Sequence, residues 1–333
     1  MRCIIIETIA EFRGGLINDA ADNSVLSYDL DSVLHALFSG TAAYKDMVRE
    51  FKTFLIISAE KSSHKRDSKL FHHYVRSLVE SPKTWFRMRD CDALARFTIA
   101  AALACNDLDD IWYNEEQLQI LTELSVTLYD AVAFYKHRAE GETNNTFAYA
   151  GEETRKESFR RCREIIWALD VAWAHDHAGR CVINFIRPFG GPIHMMMRRY
   201  RYVEEELTIG RPETESVVAQ TRQNVKLWSR NDAADNLTLE DRGQKKYEEL
   251  IARGDELMFT GLARILERAS QERCEVCEYG TAYGARIIGE FSGVRLCKSC
   301  LSEWTRYLQD VPSRAVRVFP VLMQYLPEFE NTE

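Results

Sequence analysis

Three carboxylates, Asp107, Asp109 and Asp110, close the apolar run RFTIAAALAC inside the stretch NDLDDIWYNEE (106–116). On a helix Asn106 and Asp110 stand four apart and Asp107 and Asp110 three apart, so these groups share a face. Like charges at that spacing repel unless a cation sits between them. Clustered oxygen ligands suit Mg²⁺, which binds through carboxylates together with substrate phosphates. The negative end of a helix dipole favours a cation at the same place. The bland alternative is a solvated acidic turn whose Asn114 or Asp110 caps the next helix.

A second pattern is more specific. Cys274 and Cys277 form one C-x-x-C pair, nineteen residues follow, and Cys297 and Cys300 form another. Two such pairs match a tetrahedral thiolate site for Zn²⁺, each pair clasping the ion from one tight knuckle. Four protein ligands leave no open position, so this metal is structural rather than catalytic. Between the pairs, ARIIGEFSGVRL holds two short β-like runs around residues 290–293, and CKSCLSEWTRYLQ then opens a helix. Knuckle, hairpin and helix make a treble-clef-like module. The other five cysteines (Cys3, Cys91, Cys105, Cys162, Cys181) lie mostly in apolar helical contexts and read as buried reduced thiols.

A third group gathers around the helical stretch 115–138. Glu123, Asp130 and His137 recur at heptad spacing on an otherwise apolar element, which runs into Lys136, Arg138, Glu140, Glu142, Asn144 and Asn145. A basic patch, His194, Arg198, Arg199 and Arg201, follows the break IRPFGG. Carboxylates, amides and arginines on several helices around an aromatic-rich interior suggest a metal–diphosphate site at the mouth of an apolar pocket. The competing reading is a set of core-edge histidines and arginines paired on a solvated face.

These residues need helices to carry them, and helical periodicity dominates the chain. Apolar residues recur three and four apart over 24–61, 70–80, 92–105, 115–138, 157–177, 192–209 and 245–269. Strand patterns are almost absent before residue 280. Residues 1–268 are therefore expected to form an all-α domain and residues 269–333 a small four-cysteine module. The 333 residues suffice for a deep core, and 46% of them are hydrophobic. A net charge of −8 with interleaved signs argues against non-specific nucleic-acid binding. No apolar run approaches the ~20 residues needed to span a bilayer, and MRCIIIETIAEF is too soon interrupted to act as a signal peptide. A cytoplasmic protein without stable membrane insertion is expected.

The stretches RDCDALARFTIAAALACNDLDDIW, TLYDAVAFYKHRAEGETNNTFAY and FGGPIHMMMRRYRYVEEELTIG resemble the fungal α-ionylideneethane synthases, the sesquiterpene synthases of abscisic-acid biosynthesis. IIIETIAEFRG and the cysteine pairs share in that resemblance. It implies a helical terpene-synthase-like bundle that uses Mg²⁺ and converts farnesyl diphosphate to α-ionylideneethane in two stages. Diphosphate loss gives a neutral polyene, and reprotonation then cyclises it. It also implies a chain that starts inside the family's first helices.

The motifs of ordinary class I terpene synthases are not intact. Asn114 and Glu115, not a third aspartate, follow Asp109 and Asp110. YDAVAFYKH (129–137) keeps only Asp130 of N-D-x-x-S-x-x-x-E, with Tyr129, Ala133 and His137 where Asn, Ser and Glu belong. The first metal set is therefore expected at Asp107, Asp109 and Asp110, and the second must come from elsewhere, with Glu140, Glu142, Asn144 and Asn145 as its candidates. Lys136, Arg138, His194, Arg198, Arg199 and Arg201 would meet the diphosphate. Asp130 or His137 would handle protons. Trp85, Phe86, Trp112, Tyr129, Phe134, Trp167 and Trp173 would line a dry pocket and stabilise cations through their ring faces. The rival reading is a non-catalytic helical protein whose zinc module docks a partner.

Overall fold

The computed structural model describes residues 2–13, 23–25, 27–62, 68–193, 239–268, 274–279, 291 and 293–329. One helix, α7 (Glu115–Glu140), runs through the middle of them. Its start is fixed by a capping box: Asn114 accepts from the Gln117 amide at 2.9 Å, and the Gln117 side chain accepts from the Asn114 amide at 3.0 Å. Glu115 and Glu116 in the first turn and His137 and Arg138 in the last complement the helix dipole. Its 26 residues span about 39 Å at ~1.5 Å per residue. Burial is almost continuous from Leu118 to Tyr135, so the helix lies inside the fold rather than on its surface.

Helices α5 (Pro82–Asp92), α6 (Ala95–Ala104), α8 (Thr146–Ala150) and α9 (Arg155–Ala172) surround α7, with a 3₁₀ turn at Arg187–Gly190. Beyond α5 lies a second group: α1 (Arg2–Arg13), α2 (Leu30–Phe38), α3 (Tyr44–Ser62) and α4 (Lys69–Ser77). Helix α10 (His177–Ile186) packs on α6 and α9.

Several expected helices are broken, each for a local reason. The stretch 24–61 opens with a two-residue antiparallel ladder, β1 (Ser24–Val25) with β2 (Tyr28–Asp29), and Asp29 then caps α2. The stretch 157–177 stops at Trp173, whose ring fills the space beside Gly179 and bends the chain into α10; a Cβ there would lie 2.6 Å from that ring. The stretch 245–269 divides into α11 (Leu239–Ala252), α12 (Gly254–Leu257) and α13 (Leu262–Arg268), with a left-handed Gly261 just before α13.

The expected boundary at 268/269 adjoins residues 269–273, which lie outside the described set. After it, β3 (Glu278–Tyr279) pairs antiparallel with β4 (Val294–Arg295). Among the described residues the GVRL run thus pairs with the chain leaving the first knuckle, while the ARII run lies outside them. Helices α14 (Lys298–Gln309) and α15 (Val311–Val318) then pack back on α5 and α8 and on α7 and α9. No helix among the described residues is long and apolar enough to cross a membrane.

Candidate functional site

The two carboxylate sets expected to share one metal site lie at opposite ends of α7. Asp107, Asp109 and Asp110 precede its N-terminus, whereas Glu140 ends it and Glu142, Asn144 and Asn145 follow. Asn145 and Glu142 fold back beside Asp130 and His137, which still leaves about 15 residues of helix, ~22 Å at ~1.5 Å per residue, between the two sets and excludes a single shared cluster. The first and second metal sets read from the sequence therefore do not meet around one ion.

At the N-terminal end the acidic turn has a local cause. Asp107 takes a left-handed conformation (φ 57°), and the Leu108 amide donates to the Leu103 carbonyl at 3.1 Å. This is a Schellman closure of α6, with Asp tolerated where glycine is usual. Asn106 adds a side-chain bond to the Ala102 carbonyl at 2.7 Å. Asp107, Asp109 and Asp110 are all exposed, and Asp109 rests against Gly40. Solvent resolves the apparent cost of ending an apolar helix on aspartates.

The chain leaving this turn forms one wall of a cleft of about 500 Å³, through Trp112, Tyr113, Asn114 and Glu115. Asp46, Met47, Glu50, Arg87, Arg96, Leu118, Phe259 and Thr260 complete it. Helix α5 supplies Arg87, which pairs with Glu50, approaches Asp90 at 3.6 Å and lies 3.8 Å over the Phe259 ring. Arg96 binds Asp90 at 2.6 Å and forks onto Glu115 at 2.8 and 3.0 Å. Burial alone would weaken the Arg96 cation, but Asp90 and Glu115 more than reverse this and hold its pKa above the ordinary arginine value. Burial likewise pushes the Glu115 carboxyl up, and its bonds to Arg96 bring it below the usual range. The cleft thus presents fixed guanidinium and carboxylate groups beside aromatic faces.

At the C-terminal end the same residue types are buried. Asp130 is fully enclosed; it accepts from Arg89 at 2.7 and 3.3 Å and from the Thr146 amide and hydroxyl at 2.8 and 2.9 Å. It thereby takes up the first amide of α8, whose N-cap is Asn145, and fixes α5 to α7. Asn145 donates to the Asp130 carbonyl and lies 3.0 Å from His137 Nδ1. Glu142 stands 3.8 Å from His137 and 3.9 Å from Lys136. Asn144 donates to the buried Tyr74 hydroxyl, whose pKa burial raises well above the ordinary tyrosine value. Arg138 pairs with Glu152. Glu123, the third member of the heptad stripe, meets Arg314 at 2.7 Å and accepts from Tyr307 at 2.6 Å. The stripe is a row of buried polar groups: Glu123 and Asp130 are matched from other helices, and His137 from the segment that follows α7. Neither Asp130 nor His137 lines the cleft.

His194, Arg198, Arg199 and Arg201 lie outside the described residues, as does the side chain of Glu140. The seven aromatic residues do not converge on one pocket. Trp85 is sealed against Tyr149 and Trp304, Phe86 stacks on Tyr307, and Trp167 is 60% exposed beside Tyr325. Of the five scattered cysteines Cys91 and Cys162 are buried, while Cys105 is exposed. The sequence reading passed over Glu50, Arg87, Arg89, Asp90 and Arg96. Their signal is four charges at 87, 89, 90 and 92 interleaved with Trp85, Phe86, Met88 and Cys91. A helix with so little solvated face must pair its charges internally.

The four expected cysteines do converge. The Sγ atoms of Cys274, Cys277, Cys297 and Cys300 lie within 4.8 Å of one another, and they are the group able to hold a metal ion among the described residues. The acidic turn forms no such preformed cage.

Over residues 1–321 the chain matches the family described as alpha-ionylideneethane synthase aba3. It is 58% identical over 322 residues, 97% of this chain and 72% of the relative, to the alpha-ionylideneethane synthase aba3 of Botryotinia fuckeliana strain B05.10. A second protein of that name and species is 61% identical over 84% of this chain and 66% of its own length. The alpha-ionylideneethane synthase abl3 of Leptosphaeria maculans is 52% identical over 98% and 76% respectively. The chain thus spans between 66% and 76% of the length of these relatives.

Proposed function

Because the chain belongs to the alpha-ionylideneethane synthase family, we propose that it is a sesquiterpene synthase of fungal abscisic-acid biosynthesis. Its substrate in this reading is farnesyl diphosphate and its product α-ionylideneethane. The observation that carries the reading is 58% identity, over nearly the whole chain, to a protein bearing that name. The proposed reaction has two stages, diphosphate loss to a neutral polyene followed by reprotonation and ring closure.

The geometry favours the N-terminal end of α7 for the diphosphate. Asp109 and Asp110 offer exposed carboxylate oxygens in the turn that runs, from Trp112 on, into the cleft wall. They form no complete cage, and Mg²⁺ does not need one when a substrate diphosphate supplies the remaining oxygens. When bound, the ion would neutralise charge developing on the leaving group. The chain's own contribution is positioning. Arg87 and Arg96 are held by carboxylates at fixed points of the cleft wall. The Trp112 and Phe259 rings give an isoprenoid chain apolar faces to lie against. At about 500 Å³ the cleft falls in the range of small-molecule sites.

The test is incubation with farnesyl diphosphate, with and without Mg²⁺, followed by gas chromatography. A Mg²⁺-dependent hydrocarbon with the mass of a sesquiterpene is expected. Its absence under both conditions would overturn the reading.

A further inference from the structure

We propose that a zinc ion in the four-cysteine site braces the buried loop 141–150 of the helical body, so that the module works inward on the fold rather than outward on a partner. The proposal is independent of the substrate assigned above. Tetrahedral Zn²⁺ with Zn–S bonds of about 2.3 Å places its sulfurs ~3.8 Å apart. Cys274 and Cys297 stand 3.9 Å apart, far beyond a disulfide bond, and the whole set lies within 4.8 Å. An all-sulfur tetrahedral set selects zinc or iron over harder cations.

The ligands are joined to the loop from two sides. On one side, Cys297 begins α14 and Cys300 lies in its first turn. Four residues after Cys300, on the same helix face, Trp304 is 2% exposed and sits 5.2 Å from Tyr149 and 5.7 Å from Trp85. Thr305 donates to the Ala150 carbonyl at 3.3 Å. On the other side, Gly293 just ahead of β4 has φ 99°, and a Cβ there would lie 3.1 Å from Thr143 and 3.3 Å from the Tyr149 hydroxyl. That hydroxyl donates to the Thr143 carbonyl at 2.7 Å. Phe291 packs against Phe134 of α7 at 5.2 Å. Strand and helix therefore clasp the loop between them, and their common anchor is the metal.

Such a clasp meets a specific need. The loop is buried throughout except for the half-buried Ala148, and it carries Glu142, Asn144, Asn145 and Thr146. Those side chains hold their partners only while the backbone is fixed. A metal that tethers both walls removes the entropy that would otherwise open the loop.

The experiment uses the purified chain. Metal analysis should return one zinc per chain; no zinc, or iron in its place, overturns the site. Hydrogen exchange is then compared before and after stripping with a chelator. Amides of 141–150 should exchange at least about tenfold faster, while α10, which among the described residues packs chiefly on α6 and α9, stays unchanged. Unchanged exchange at 141–150 overturns the brace. Should stripping unfold the whole chain, Gly293→Ala decides, because it keeps all four cysteines. Retained zinc with faster exchange confined to the loop supports the brace, and retained zinc with parental exchange overturns it.

Discussion

The two loops flanking α7 begin alike and end differently. Each opens with the same helix closure, Leu108 bonding back to Leu103 after left-handed Asp107, and Glu142 bonding back to His137 after left-handed Gly141 (φ 68°). Each then places acidic and amide side chains in a row. Before α7 those side chains face water beside a cleft; after α7 they are sealed under the cysteine module. The contrast shows that residue type alone does not mark a ligand site. An exposed carboxylate is available to a cation at little cost, while a buried one must already be matched and is therefore committed to structure.

The largest expected effect lies at the sealed end. Arg89→Met keeps most of the volume but leaves Asp130 buried without its guanidinium, and should cost about 3–5 kcal/mol in denaturant unfolding. A loss below about 1 kcal/mol would show that this end tolerates uncompensated charge and would break the contrast. At the open end the pattern should invert. The double change Asp109→Asn and Asp110→Asn should leave stability within about 0.5 kcal/mol, yet lower product formation by about a hundredfold or more. Parental turnover would remove the diphosphate from this turn.

The closures themselves offer a smaller test. Gly141→Ala puts a side chain on a left-handed, buried turn and should destabilise by about 1 kcal/mol. Asp107→Gly relaxes the equivalent strain and should be neutral or stabilising by a few tenths of a kcal/mol. If Asp107→Gly instead abolished product formation without loss of stability, Asp107 would rejoin Asp109 and Asp110 as a ligand. The smallest effect concerns acid. The Glu115 carboxyl is lowered in the folded chain, so its share of stability is present above its ordinary pKa of 4.5 and fades as pH falls below it. Glu115→Gln should flatten the stability–pH curve slightly in that acid range, and less so in high salt, because this side chain is 65% exposed.

Much of this was legible in the sequence. The capping residue Asn114, the apolar content of 115–138 and the C-x-x-C spacing are local signals, and local signals survive folding: α7, α14 and the converging sulfurs follow from them. The pairing of Asp130 with Arg89 across 41 residues, and of Glu123 with Arg314 across nearly two hundred, has no local signature. Nor has the fact that α7 is long enough to hold its two acidic ends apart. Heptad spacing marked Glu123, Asp130 and His137 as a stripe, but spacing cannot tell a stripe that faces a ligand from one that faces other helices.

Hydrogen exchange of the chain with and without Mg²⁺ and inorganic diphosphate separates the two ends directly. The expected result is slower exchange over residues 107–115 with no change over 141–150. Protection over 141–150 with 107–115 unaltered would place the ligand at the sealed end and contradict the assignment.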